Sequence, residues 1–340
     1  MAVRMKDIAR DLGVSVVTVS KVLRNHSDIG EQTRQRVLKR IKDLNYQPNF
    51  AARALVTGRT YTVGLVVPDL VHPFFAQVAK GLSSALRKRG YGLILASSEE
   101  DPELEAEEIG RLLARRLDAL VIASAQRTVE SFRRIEEQKI PYVLVDRQFA
   151  GLPANFVGGN DETIGEMATK HLIAVGCRGI AHIRGPHVST AFGRLEGYRR
   201  TLARHNLGPL PHYIPDAMAG DDDSEARGRA AMRQLIKLRP RPDGVFCYND
   251  PAAMGAMNAI LEAGLRIPED IAVIGCGNVP YDAWLKVPLS SIDQQSATIG
   301  ERAAKLALSL IESKTASRPR SIILEPKLVA RASTQRKAAG

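Results

Sequence analysis

Two sets of residues in this 340-residue chain have the types and spacing to do recognition chemistry. The first lies early, in a short helical stretch. Turning about 100° per residue from Val19 places Val17, Ser20, Lys21 and Arg24 together, away from the apolar stripe. Such a face, with an ammonium, a guanidinium and a hydroxyl, could enter a DNA groove, or could be the solvated side of an ordinary helical hairpin. The second set follows apolar, strand-like runs. Asp146 and Arg147 come after Tyr142–Val145, Asn249 and Asp250 after Val245–Tyr248, and Arg194 opens a helix after a Gly185-Pro186 turn. Carboxylate, guanidinium and carboxamide groups at strand ends suit hydrogen bonding to a small polar molecule. Two plainer roles stay open there: helix capping by Asp250 and a mutual Asp146–Arg147 ion pair.

Other chemistries lack their residues. Cys177, Cys247 and Cys276 have no CxxC spacing and sit in or beside apolar runs, which predicts buried free thiols and no metal site. His182 and His187 lack a helical metal pairing. The acidic runs Glu99–Asp101 and Asp221–Asp223 lack the alternation of a calcium loop and read as solvated, helix-starting acids. No G-x-G-x-x-G, Walker loop or nucleophile elbow occurs, so no cofactor and no enzyme activity are expected.

The elements that would position the first set are three short helices. Ile8, Ala9 and Leu12 mark one helix, Gly13 breaks it, and Ser15 is placed to cap a second with Val19, Val22 and Leu23 on its apolar side. A third, Glu31–Asn45, repeats Val37, Leu38, Ile41 and Leu44, with Gly30 at its N-cap. Pro48 halts it, and the Ala-rich 49–56 stretch is too short to persist as a helix alone. From residue 61 the pattern alternates. Strands are expected at Thr62–Val67, Leu93–Ala96, Ala119–Ala123, Tyr142–Val145, Ile180–Ile183, Val245–Tyr248 and Ile271–Ile274. Helices are expected near Phe75–Arg89, Glu103–Arg115, Val129–Gln138, Ile164–Val175, Phe192–His205, Ser224–Lys237 and Ala252–Ala263. Two βαβ series predict an α/β core of two doubly wound parallel-sheet subdomains, with ligands at the carboxyl ends of the strands and hence in the cleft between them. Leu289–Asp293, a helix at Ile299–Ser313, Ser321–Leu324 and Leu328–Ala330 suggest that the chain crosses back between subdomains.

These readings predict a helix-turn-helix domain at 1–48, a linker at 49–60 and a core at 61–340. Within the core, one subdomain takes about 61–158 plus 293–320 and the other about 159–290 plus 321–331, with a disordered tail from Ala332. Charge follows the same division: residues 1–60 carry twelve Lys/Arg against five Asp/Glu, so +7 of the net +11 sits in the first sixth of the chain. That is the distribution of a polyanion-binding head on a near-neutral body. No apolar run approaches the roughly 20 residues of a spanning helix, and the N-terminus is too charged for a signal peptide, so a cytoplasmic protein without a membrane partner is expected.

The segments DIARDLGVSVVTVSKVL, TRQRVLKRIKDLNYQPNFAARAL and TVGLVVPDLVHPFF resemble the lac and galactose repressor (LacI/GalR) family of bacterial transcription regulators. So do VLVDR, FGRLEGYR, FCYNDPAAMGAM, GLRIPEDIAVIGCGN and PLSSIDQ, carrying the match to about residue 331. The resemblance implies a homodimeric, effector-switched repressor on a near-palindromic operator, with a body like periplasmic binding proteins. By it, Val16, Val17 and Lys21 read base edges, although Val16 lies only about 60° from the Val19 stripe and could be partly core. Ser15, Thr18, Ser20 and Arg24 take phosphate-contacting or capping positions.

The stretch opening at Asn49 resembles the family's hinge helix, with Leu55 as its minor-groove wedge and Ala52 beside it. The implied effector site holds Asp146, Arg147, Arg194, Asn249, Asp250, Asn278 and Gln294, with Phe74 or Phe75 as an apolar platform. The effector is expected to be a sugar or sugar derivative, with a nucleobase as the alternative. Where many members carry Asp-Asp, this chain has Gly277-Asn278, which removes a carboxylate.

Overall fold

The computed structural model describes residues 3–23, 26–46, 54, 58–126, 128–149, 151–208, 210–215, 223–313 and 318–336. Two compact units appear, Met1–Thr60 and Tyr61–Gly340.

The first unit holds α1 (Met5–Leu12), α2 (Val16–Leu23) and α3 (Glu31–Asp43). Asp7 accepts from the Arg4 N–H at 3.0 Å to start α1, and Gly13, at φ 65°, ends it in the left-handed region that glycine tolerates best. Ser15 Oγ then accepts from the Thr18 N–H at 3.0 Å, which caps α2. Ile8, Ala9, Val19, Val22, Val37 and Tyr46 form one buried cluster. Leu38 is exposed, against the expected repeat, because Val37, Ile41 and Leu44 already fill the inward side of α3.

The second unit contains β1 (Thr62–Val67), α4 (Pro73–Arg87), β2 (Gly92–Ser97), α5 (Pro102–Ala114), β3 (Ala119–Ile122), α6 (Glu130–Glu137), β4 (Tyr142–Val145) and β5 (Asn155–Gly159). It continues with α7 (Asp161–Ala174), β6 (Ile180–Ile183), α8 (Ser189–Arg204), α9 (Ser224–Ile236), β7 (Gly244–Cys247), α10 (Asp250–Glu262), β8 (Ala272–Cys276), β9 (Ser290–Asp293), α11 (Ser296–Glu312), β10 (Ser321–Leu324) and β11 (Lys327–Val329). One sheet has the order β10-β5-β4-β3-β1-β2 and is parallel throughout. The other has the order β11-β9-β8-β7-β6, parallel except at β11.

Several helices begin before the apolar periodicity that announces them, although Ser224 opens α9 as expected. His72, Asp101, Asn160, Asp223 and Asn249 each accept from an N–H of the following first turn, so α4 starts at Pro73 and α7 at Asp161. The one described strand absent from the sequence reading is β5, which carries only Phe156 and Val157 as apolar residues beside two glycines.

The chain passes between the sheets three times: from β5 to α7, from β9 to α11, and from β10 to β11. This corrects the expected boundary at 321. β10 pairs with β5, Ser321 opposite Phe156 through Leu324 opposite Gly159, and only β11 joins β9 of the second sheet. The residues from Ala332 to Arg336 are likewise no disordered tail. Ser333 Oγ donates to the Val273 carbonyl at 2.6 Å, and Thr334 Oγ1 lies 2.7 Å from both Ser290 Oγ and His171 Nε2. Small hydroxyl residues are buried there by hydrogen bonds, which an apolar pattern cannot reveal. No described helix is long and apolar enough to cross a membrane.

Candidate functional site

Arg194, on α8, is almost wholly buried and fully committed in direction. Its Nε donates to Asp161 Oδ1 at 3.0 Å, Nη1 to the Tyr248 carbonyl at 2.6 Å and Nη2 to Gln294 Oε1 at 2.8 Å. Asp161 lies at the first crossing and Gln294 at the second, so one guanidinium binds two of the three connections between the sheets. It also lies 4.6 Å from the centroid of the Tyr248 ring. Burial pushes Asp161 up to about 7 against the pull of Arg194.

Asp146 sits at φ 64°, an uncommon conformation for a side-chain-bearing residue and one that recurs at functional sites. Its carboxylate is 3.9 Å from Arg147 Nε and feels Arg194, and among the described residues no hydrogen bond reaches it. Burial raises its pKa while the two guanidinium groups lower it. The main partner of Arg147 is Glu100, which accepts from Nη2 at 2.6 Å and from Nη1 at 2.8 Å. Glu100 is therefore not the solvated acid its run suggested, whereas Asp101 does cap α5.

Asn249 bridges the sheets. Its Oδ1 caps α10 through the Ala252 N–H at 2.9 Å, and its Nδ2 reaches Ser224 Oγ at 3.1 Å and His72 Nε2 at 3.0 Å. His72 Nδ1 meanwhile faces the Phe74 N–H at 3.3 Å. A neutral imidazole accepts at one nitrogen only, so the helix cap and the cross-cleft contact compete for a single lone pair. Burial lowers the His72 pKa to about 4. The Gln148 N–H donates to Ser189 Oγ at 2.9 Å, a second bond across the cleft.

The remaining expected effector residues lie elsewhere. Phe74 and Phe75 pack edge to face, 5.1 Å apart, inside the core under the first sheet, so neither offers an open ring. Asp250 does not cap α10, since Asn249 does. It turns inward, accepting from Ser291 Oγ at 2.6 Å and the Val279 N–H at 3.1 Å. Gly275 and Gly277 make this possible, because a Cβ at either would fall within 2.2 and 2.8 Å of an Asp250 carboxylate oxygen. Asn278 Oδ1 accepts from Arg331 Nη2 at 2.6 Å. Asp282, fully buried, lies against Asp250, and burial followed by the Asp250 charge pushes its pKa up to about 9. Asp250, Asn278, Asp282 and Arg331 thus form a second polar cluster, distinct from the one around Arg194.

His72, Glu100, Asp161 and Tyr248 were not singled out from sequence. Each stands at or just past the carboxyl end of a strand, and that position, applied to every strand, would have flagged them. His182, fully buried, donates from Nδ1 to the Phe246 carbonyl at 3.0 Å between the Tyr198 and Phe246 rings, a core histidine. The three cysteines are free and buried.

In the first unit Val17 is 61% exposed and Val16 43%, so Val16 is not core. Ser15 is exposed, Thr18 and Ser20 are half-buried, and Lys21 pairs with Asp28 in the turn before α3. Arg24, Asn49, Ala52 and Leu55 lie outside the described residues.

Residues 4–49 match the family described as bacterial regulatory proteins, lacI family, and residues 60–332 match periplasmic binding proteins and sugar binding domain of LacI family. The HTH-type transcriptional repressor PurR of Aliivibrio fischeri (strain MJ11) is 33% identical over 332 residues, covering 97% of each chain. The ribose operon repressor of Haemophilus influenzae is 33% identical over 330 residues, covering 97% of this chain and 98% of that protein. The lac repressor dimer bound to operator and the anti-inducer ONPF superposes with a TM-score of 0.84 at 26% identity, over 98% of this chain and 99% of that one. A transcriptional regulator CelR–cellobiose complex gives 0.74 at 29% identity, over 97% and 99%.

Proposed function

The chain belongs to the LacI family of bacterial regulatory proteins, and from that premise we propose a homodimeric repressor that grips a near-palindromic operator and is switched by a sugar or sugar derivative in the cleft. It is a ligand-responsive transcription regulator, not an enzyme. The face of α2 with Val16, Val17 and Lys21 reads bases, the valines by apolar contact with thymine methyls. Ser15, Thr18, Ser20 and Arg24 hold phosphates or cap the helix. Asn49, Ala52 and Leu55 act in the linker as a minor-groove hinge ordered by DNA and the second copy.

The observation that carries the effector reading is the Asp146 carboxylate. Buried between Arg147 and Arg194 without a hydrogen bond among the described residues, it needs donors, and vicinal hydroxyls supply them. The spare N–H groups of Arg194 complete the set, one on each terminal nitrogen beyond the bonds to Tyr248 and Gln294. A sugar is favoured over a nucleobase because Phe74 and Phe75 are packed away and Arg194 already faces the Tyr248 ring. Dimerisation is proposed from the likeness to the lac repressor dimer bound to operator, and Trp284, at 81% exposure, is a large apolar side chain that such an interface could cover. Effector binding alters the angle between the two sheets, a coupling of about 1–3 kcal/mol in typical systems.

A thermal-shift screen over sugars, sugar acids and nucleobases tests the effector class. A sugar that stabilises wild type and changes its affinity for selected DNA is the expected result; stabilisation by nucleobases alone overturns it.

A further inference from the structure

Lys21 is the one cation on the exposed side of α2 among the described residues, and its ammonium is taken up inside the head. Asp28, in the turn between α2 and α3, accepts a hydrogen bond from Lys21 Nζ. The pair is out in solvent, the lysine side chain 36% exposed and the aspartate 52%, so the aspartate is not buried for stability. The contact holds the Asp28 carboxyl below the usual carboxylate range. Seven residues and a change of direction separate the partners, so the contact is not a helix-periodic accident. A carboxylate on a surface meant for a polyanion also opposes binding by simple charge, which makes its presence there require a use.

Resting on the DNA-reading assignment of α2, we propose that Asp28 is a specificity-determining residue that positions Lys21. An unrestrained lysine is a flexible point charge that can swing to any nearby phosphate. Tethered by one N–H to Asp28, the ammonium keeps two N–H groups in a fixed direction, which suits the paired acceptors N7 and O6 of a guanine. Asp28 thus exchanges general affinity for choice: it keeps Lys21 off the backbone and aims it at one base pair. Val16 and Val17 offer no hydrogen bonds, so this restraint governs the polar part of the described reading face.

The test is selection from a random-sequence duplex library with full-length protein, with and without a pool of sugars and purine bases, followed by binding titrations at several salt concentrations. Wild type, Asp28→Asn, Asp28→Glu, Lys21→Ala and the Lys21→Ala/Asp28→Asn double variant are compared. Asp28→Asn is expected to lose about tenfold in discrimination at one base pair of each half-site. It should also bind random DNA more tightly, with a salt slope steeper by about one. Asp28→Glu should retain much of the discrimination, and in the Lys21→Ala background Asp28→Asn should no longer change base preference. If Asp28→Asn tightens binding to all sequences equally, or changes preference just as much without Lys21, the proposal is overturned. If wild type enriches no sequence at all, the DNA-reading assignment itself fails, a different outcome from an enriched motif that ignores Asp28.

Discussion

Arg194 Nη2 donates to Gln294 Oε1 over 2.8 Å, joining two residues a hundred positions apart, and Gln294 stands in a segment that links the sheets. The guanidinium proposed to meet the effector is thereby fastened to the connections about which the sheets would turn. Asp146→Asn removes the charge and replaces one of the two acceptor oxygens by a donor, but leaves those fastenings in place. It should weaken sugar binding by about 2 kcal/mol while DNA affinity without sugar stays at the wild-type value. Arg194→Lys should weaken both sugar binding and its effect on DNA, because one ammonium cannot hold Asp161, Tyr248 and Gln294 at once. Calorimetry with the sugar found in the thermal screen, paired with DNA anisotropy, separates the two.

Lys21→Ala should lower affinity for the selected operator by about 1–3 kcal/mol and broaden base choice at one position. Equal loss on operator and random DNA would mean that Lys21 touches only phosphate.

Acid should destabilise the core through its histidines. His182 and His72 have folded pKa values near 3 and 4, below the ordinary 6.5, in both cases through burial. Their neutral forms support folding fully above 6.5, and that support is lost as pH falls towards the folded values, because the unfolded chain takes protons the native state refuses. The histidine contribution alone should fall by about 3 kcal/mol between pH 7 and pH 5, less of it from half-buried His72 than from His182. It is read as the difference in urea-unfolding stability between wild type and the histidine variants, since Asp161 and Asp282 shift the total in the other direction. His182→Phe should flatten the larger part of that slope.

Asp282 works in the opposite direction. Its carboxyl is raised from 3.8 to about 9, so the stability it contributes is complete below 3.8 and declines as pH rises towards 9. Asp282→Asn keeps a neutral donor beside Asp250 and should raise stability at pH 7 by about 2–4 kcal/mol. A thermal melt of this variant that matches wild type at pH 8 would contradict the buried-proton reading.

Trp284→Asp should shift the protein from dimer to monomer in sedimentation velocity, and with it abolish operator binding at nanomolar protein. A dimer unaffected by this change would move the interface elsewhere.

The head was legible because its signals are local: Gly13, Ser15 and the Val19 stripe act within a few residues of one another, and each does in the structure what its type suggests. The strands Thr62–Val67 and Tyr142–Val145 were equally plain, being unbroken apolar runs. What failed to show was set by distant partners. Nothing in Ser321–Leu324 says which sheet it joins, since its pairing with Asn155–Gly159 depends on the whole core. Glu100 looks like its neighbour Asp101, and only the arrival of Arg147 from another strand separates an acid held in a partly buried ion pair from a cap. Phe74 and Phe75 follow a strand end as a platform would, but α4 begins early, at Pro73 behind the His72 cap, and turns both rings under the sheet.

The late strands have a consequence for how this chain is made. β10 completes one sheet and β11 the other, and the two lie within ten residues of each other near the end of the chain. During synthesis neither sheet can acquire its last strand until the ribosome has passed residue 321. A premature stop before residue 321 would leave both sheets with an open edge, which invites aggregation. The basic head, finished within the first sixty residues, would by then have been folded for most of the time the ribosome spends on the message, a DNA-binding fragment waiting for its control.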